Sequence, residues 1–226
     1  MSRMLASVNS LEEALVALQL NVDIIDLKQP ESGALGALQP QQVQTIVARL
    51  LKKKPVSATV GDLPMQADVI YNAVKEMAET GVDYIKIGFF PNQDWSEVIA
   101  RLATLTADPL KLIAVLFADQ QPDLSSIEQF ANAGFAGIML DTMNKTDGSL
   151  TQVMPLSILQ NFVQTAKHYQ LLSGLAGSLR ETDIPKLLVL QADYLGFRGA
   201  LCEQHQRTAQ LDPAAIRKIK ATIAAA

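Results

Sequence analysis

Eight alternations of a short apolar strand with an amphipathic helix fill 226 residues without a linker-like stretch, and this pattern predicts an α/β protein, a single-domain (β/α)8 TIM barrel spanning residues 1–226. Composition agrees: 49% hydrophobic residues against 19% charged and 5% aromatic describe a compact aliphatic core. An open doubly wound sheet is the competing arrangement of the same elements. The first strand-to-helix turn, Ser7-Val8-Asn9-Ser10, lacks the glycines of a dinucleotide fingerprint, and no phosphate-loop motif occurs.

Met4–Val8 reads as the first strand, and Ser10 caps a helix to about Leu20 with Glu12 and Glu13 in its first turn. The second strand is Asp23–Lys28; a loop with Pro30, Gly33 and Gly36 leads to a helix over Pro40–Lys53. Pro55 introduces the third strand, Val56–Asp62, and an amphipathic segment from about Met65 to Thr80 stops at Gly81, a residue suited to a left-handed helix end. The fourth strand, Asp83–Phe89, sets Ile85, Ile87 and Phe89 on one face and Lys86 on the other; a helix follows from about Gln93 to Thr106. Lys111–Ala118 is the continuous apolar run of a strand covered on both faces, followed by a helix over Asp123–Ala133. Strand Gly137–Thr142 and helix Pro155–Tyr169 form the sixth unit, Leu171–Leu175 and Thr182–Gln191 the seventh, Tyr194–Arg198 and Pro213–Ala225 the eighth.

Acids outnumber bases, 23 to 19, and the only tight basic run, Lys52-Lys53-Lys54, reads as helix-end cations, so no nucleic acid is expected as partner. The N-terminal apolar run is too short for a signal peptide and no segment has the length of a membrane span, which points to a cytoplasmic protein without membrane attachment. A single cysteine, Cys202, excludes an intrachain disulfide and a cysteine zinc cluster; His168 and His205 lie far apart, so no metal and no other cofactor is expected. Trp95 and the methionines read as packing residues. Barrel enzymes often associate through their outer helices, which makes a homo-oligomer the default expectation.

In a barrel, polar side chains at the C-terminal strand ends form the active face. Asp26, Lys28, Lys86 and Asp141 fall at such ends, on the second, fourth and sixth strands, and Lys145 follows in the adjoining loop. Asp26 and Lys28 share a strand face, which also allows a plain ion pair at the strand edge. Clustered ammonium groups in a dry pocket lower one another's pKa, and a neutral lysine amine attacks carbonyls, with nearby carboxylates moving protons. The seventh and eighth units supply Gly174, Gly177 and Ser178, then Gly196, Arg198 and Gly199: glycines that let backbone N–H groups approach an anion, and a cation beside them. The residues thus read as a Schiff-base site for a small phosphorylated carbonyl compound. His205 and Arg207, in the loop after the eighth strand, read as solvated, the alternatives being that His205 reaches the site and that Arg207 helps hold a second phosphate.

Asp26-Leu27-Lys28, Gly33-Ala34-Leu35-Gly36-Ala37, Ser57-Ala58-Thr59-Val60-Gly61-Asp62, Asp83-Tyr84-Ile85-Lys86-Ile87-Gly88, Asp141-Thr142 with Lys145, and Gly196-Phe197-Arg198-Gly199-Ala200 occur in one order over nearly the whole chain. Together they resemble the (5-formylfuran-3-yl)methyl phosphate synthase family. The resemblance implies condensation of two glyceraldehyde 3-phosphates, with loss of phosphate and water, toward methanofuran-type cofactors. It also implies Lys28 as the Schiff-base residue and Lys86 as proton acceptor, assisted by Asp26, Asp141 and Lys145. The order of steps expected on that basis is capture by Lys28 of the ketone formed from one triose phosphate, then addition of its enamine to the aldehyde of the other. A different Schiff-base aldolase acting on a sugar phosphate, and a barrel that binds a sugar phosphate without catalysis, are the alternatives.

Overall fold

The computed structural model describes residues 2–91, 93–106 and 110–225. Eight parallel strands close a barrel in chain order: β1 (Arg3–Val8), β2 (Ile24–Leu27), β3 (Val56–Thr59), β4 (Tyr84–Phe89), β5 (Lys111–Phe117), β6 (Gly137–Asp141), β7 (Leu172–Leu175) and β8 (Tyr194–Phe197). β1 pairs with both β2 and β8, so the sheet has no edge and the doubly wound alternative is excluded. Around it run α1 (Leu11–Gln19), α2 (Pro40–Leu50), α3 (Ala67–Ala78), α4 (Ser96–Ala103), α5 (Ile127–Asn132), α6 (Leu150–Val153), α7 (Leu156–His168), α8 (Ile184–Leu188) and α9 (Pro213–Ala224).

Several boundaries differ from the sequence expectation. Lys28, Thr142 and Arg198 lie one residue past their strands, where the chain turns from the ladder toward the mouth. Leu51 and Lys52 adopt left-handed backbone (φ 52° and 54°), so the Lys52–Lys54 run forms the turn after α2 instead of its last coil. The one-turn α6, unanticipated from sequence, starts at Ser149, whose side chain and that of Gln152 cap its end reciprocally.

Period-two alternation separates two apolar layers. Outward residues such as Ile25, Leu27, Ile85, Ile87 and Phe89 meet the helices, whereas Leu5, Ile24, Ile113, Val115 and Met139 fill the barrel interior. Each fully buried aliphatic or aromatic side chain contributes about 1.5–3 kcal/mol. At the base, Asp23, Asp83 and Asp193, each just before an even-numbered strand, accept the N–H of Met4, Val56 and Ser173 on the preceding odd-numbered strand at 2.7–2.8 Å. These contacts pin strand register at the face where a barrel keeps its stability.

The mouth is asymmetric because Gly88, facing inward on β4, makes room for Leu35 of the β2–α2 loop. A Cβ at Gly88 would lie 2.7 Å from Leu35 Cδ1 and 3.2 Å from the Phe90 ring. Leu35, Phe90 and Phe117 therefore plug the β4–β5 side and leave a pocket over β6, β7, β8, β1 and β2. The loop is fixed by Asp62, which accepts the N–H groups of Ala34 and Leu35 at 2.6 and 2.7 Å. Gly88→Ala should expel Leu35 at a cost of about 2 kcal/mol, lowering Tm by roughly 4–8 °C. Differential scanning calorimetry that found an unchanged Tm would mean that Leu35 is not seated there.

Candidate active site

Asp26, third in β2, points into the barrel and is fully buried. An isolated carboxylate there would be very costly, and it is matched on each oxygen. Oδ1 takes Ser57 Oγ–H at 2.6 Å and the Lys86 ammonium at 2.8 Å; Oδ2 takes Ser7 Oγ–H at 2.8 Å. Asp26 thus pairs with Lys86, two strands away, and not with Lys28 on its own strand. Residues i and i+2 of a strand share a face but stand roughly 6.6 Å apart along it. Ser7 and Ser57 went unassigned in the sequence; the available signal was a hydroxyl at an inward position of an otherwise apolar strand.

One layer higher, Asp141 ends β6 and meets Lys28 from the opposite wall: Oδ2 lies 3.4 Å from Lys28 Nζ, while Oδ1 takes Lys145 Nζ at 2.6 Å and the Thr142 N–H at 2.7 Å. Lys145 also donates to the Thr142 carbonyl. Burial would raise the Asp141 carboxyl, but Lys145, Lys28 and these hydrogen bonds outweigh it and hold the group well below the usual carboxylate range. Lys28 has the weaker share of that carboxylate. Burial pushes its amine down to about 8; Asp141 opposes the shift, and the charges of Lys145 and Lys86 reinforce it. A lysine near 8 has a substantial neutral fraction close to neutrality, which an exposed lysine lacks.

A pocket of about 130 Å³ opens over these groups, bounded by Gly177, Ser178, Gly196, Arg198 and Gly199 and by Lys28, Lys86, Asp141 and Lys145. Among the described residues the N–H groups of Gly177, Ser178 and Leu179 have no hydrogen-bond partner in the protein. Gly199 and Ala200 open a one-turn 3-10 helix whose first N–H groups have no partner within the turn. These donors make a cradle between β7 and β8 whose unpartnered N–H groups suit an anion.

Two of the expected anion-binding residues have other duties. Gly174 does not reach the pocket: the Tyr194 ring lies across it, and a Cβ would come within 2.5 Å of Tyr194 Cε2. Arg198 borders the pocket, but its donors are committed to Glu13 (2.5 and 3.2 Å) and to the carbonyls of Ser7, Arg207 and Ala209. It clamps α1 and the last loop onto the barrel. That clamp folds the loop back, so His205 and Arg207, read from sequence as solvated, line the pocket together with Arg180, which the sequence reading passed over. Six cations (Lys28, Lys86, Lys145, Arg180, Arg198 and Arg207) thus face three carboxylates, Asp26, Asp141 and Glu13, in a chain of net charge −4. The local positive excess favours an anionic ligand.

Among the described residues no cluster of His, Cys, Asp or Glu is arranged to hold a metal ion, and no helix is long and apolar enough to cross a membrane. Cys202 is buried, with burial pushing its thiol up to about 11, which makes it a packing residue.

Comparison with known proteins places this geometry. The chain is 43% identical to a Methylorubrum extorquens protein over 95% of its own length and 88% of the other's. It is 33% identical to the (5-formylfuran-3-yl)methyl phosphate synthase of Methanopyrus kandleri, over 91% of each chain. Its fold matches phosphoribosyl anthranilate isomerase from Thermus thermophilus with a TM-score of 0.68 at 14% identity, covering 99% of this chain and 98% of that one. The 4-HFC-P synthase family profile matches residues 4–220. A barrel with a buried lysine pair, an anion cradle and this sequence kinship is an enzyme, and the chain belongs to the 4-HFC-P synthase family.

Proposed function

We propose that this enzyme is a lyase that makes (5-formylfuran-3-yl)methyl phosphate from two molecules of D-glyceraldehyde 3-phosphate through an imine on Lys28, for a methanofuran-type one-carbon cofactor. The observation that carries the reading is Lys28 itself: a buried amine lowered to about 8, facing Asp141 at 3.4 Å on the floor of a cationic pocket. The relatives' name supplies the product, and the free N–H groups between β7 and β8 suit a phosphate on the substrate.

The product's skeleton revises the order of steps expected from sequence. An enamine of the ketotriose would join two terminal carbons into a linear chain, whereas the furan is branched at the carbon bearing the phosphomethyl group. The branch arises when the terminal carbon of one triose joins the central carbon of the other. In the scheme that balances, the neutral Lys28 amine attacks the aldehyde of glyceraldehyde 3-phosphate and water leaves, forming the imine. Lys86, its proton first passed to Asp26 at 2.8 Å, removes the C2 proton, and the electron pair expels phosphate from C3. The resulting enol attacks, through C3, the central carbonyl of dihydroxyacetone phosphate, itself formed by isomerisation of the second triose. The hydroxymethyl oxygen of that second triose closes the ring on the C2 carbonyl, two waters leave, and hydrolysis of the imine frees the aldehyde and Lys28. One phosphate and two waters are lost overall. Asp141 with Lys145 moves the protons of ring closure, and Asp26 holds Lys86 in place.

The test is incubation with glyceraldehyde 3-phosphate, with and without borohydride, following furan absorbance, phosphate release and the mass of the trapped peptide. Furan with an adduct on Lys28 is expected; an adduct without furan or phosphate would make the protein a different aldolase. The pH dependence has a definite sign. Attack needs the neutral amine, whose fraction rises with pH, so kcat/KM should climb about tenfold per pH unit below 8 and level off above it. An acid limb centred above pH 9.5 would show that the nucleophile is an ordinary solvated lysine.

A further inference from the structure

Four of the six pocket cations have carboxylate partners: Lys28 and Lys145 at Asp141, Lys86 at Asp26 and Arg198 at Glu13. Among the described residues Arg180 and Arg207 have none in the pocket. Arg180 belongs to the cradle, since a Cβ on Gly199 would stand 3.7 Å from its Nη1. Arg207 reaches the other way. Its main-chain carbonyl is gripped by Arg198 Nε at 2.7 Å, and its Nη2 donates at 2.8 Å to the Gly33 carbonyl, in the loop that follows Lys28. The side chain therefore starts in the loop after β8 and ends at the loop after β2, with Lys28 and the cradle bordering the same pocket.

Only that single hydrogen bond engages the Arg207 guanidinium among the described residues, so its remaining N–H groups are free to meet a ligand. Burial pushes the group below the ordinary arginine value; Asp141 and Asp62 oppose the shift and Arg198 adds to it. Arg207 is thus a half-buried cation without a touching carboxylate, held at both ends of its side chain and presented to the pocket. Planar, pre-positioned guanidinium groups suit phosphate in two-pronged contact.

We infer that Arg207 anchors a second phosphoryl subsite, separate from the cradle between β7 and β8, so that the pocket accepts a ligand with a phosphate at each end. The inference rests on the two-triose reading above for the identity of its ligand. It explains how two small molecules are brought to bond-forming distance: each is fixed by its own phosphate, and the reacting carbons meet between them above Lys28.

Isothermal titration with mannitol 1,6-bisphosphate and mannitol 1-phosphate tests the subsite without turnover. The wild type should bind the bisphosphate at least about tenfold more tightly, as expected for one further charge-assisted contact. Arg207→Gln should bring the two affinities within about twofold by weakening the bisphosphate alone, and Arg207→Lys should recover part of the difference. Equal wild-type affinities would overturn the proposal. So would an Arg207→Gln variant that weakens both ligands alike, because the arginine would then serve the first phosphate or the loop's fold. A wild type that discriminates as expected yet makes no furan would keep the subsite and overturn the two-triose reading.

Discussion

Lys28→Ala should lower furan synthesis by about four orders of magnitude while leaving the protein folded. The loss follows from the proposed imine, for which no second amine is equivalently placed: Lys86 is bound at 2.8 Å by Asp26 and Lys145 at 2.6 Å by Asp141. The fold should survive because removing Lys28 strands no charge. Asp141 keeps Lys145 and the Thr142 N–H, and the cation removed is one that burial already disfavours. A Tm equal to or above that of the wild type, loss of the borohydride-trapped adduct and a rate at background are expected together. A variant that keeps more than roughly one hundredth of the rate, or that still traps substrate on another lysine, would remove Lys28 from the mechanism.

Asp26→Ala should have the largest effect on stability, about 3–5 kcal/mol, because it leaves the Lys86 ammonium, 3% exposed, without its counter-charge inside the barrel. Ser7 and Ser57 lose their acceptor at the same time. For a chain of this size the change corresponds to a Tm lowered by roughly 10 °C or more. The double variant Asp26→Ala/Lys86→Met should regain most of that loss, since the charge and its partner disappear together. Urea unfolding of the three proteins measures the coupling. An Asp26→Ala protein as stable as the wild type would mean that Lys86 finds another partner or water.

What was legible in the sequence follows the range over which each interaction acts. Ile85, Ile87 and Phe89 alternate with Lys86 in a period that depends only on strand geometry, and Ser10 caps α1 with a contact three residues long. Such features are local, so strand order and the inward direction of Asp26, Lys86 and Asp141 can be read from the chain. The partners cannot. Asp26 and Lys28 look like a pair two residues apart, yet the stagger of the closed barrel gives Asp26 to Lys86 and Lys28 to Asp141, 113 residues away. Arg198 follows the same rule, because its position beside the glycines suggests a phosphate ligand and only the fold supplies Glu13, 185 residues distant, to occupy it.

By itself, then, the sequence determined the barrel and the face on which its charged residues meet. The tertiary structure decided which lysine has the longest ion pair. Three similar ammonium groups converge on two carboxylates: Lys145 meets Asp141 locally, four residues on, and closure of the sheet gives Lys86 a short contact while leaving Lys28 the long one in a dry site. Closure likewise turned the last loop inward, bringing Arg207 to the pocket and occupying the donors of Arg198 at its border. Which cations are free and which are paired depends on distances between strands far apart in the chain, which neither composition nor periodicity encodes.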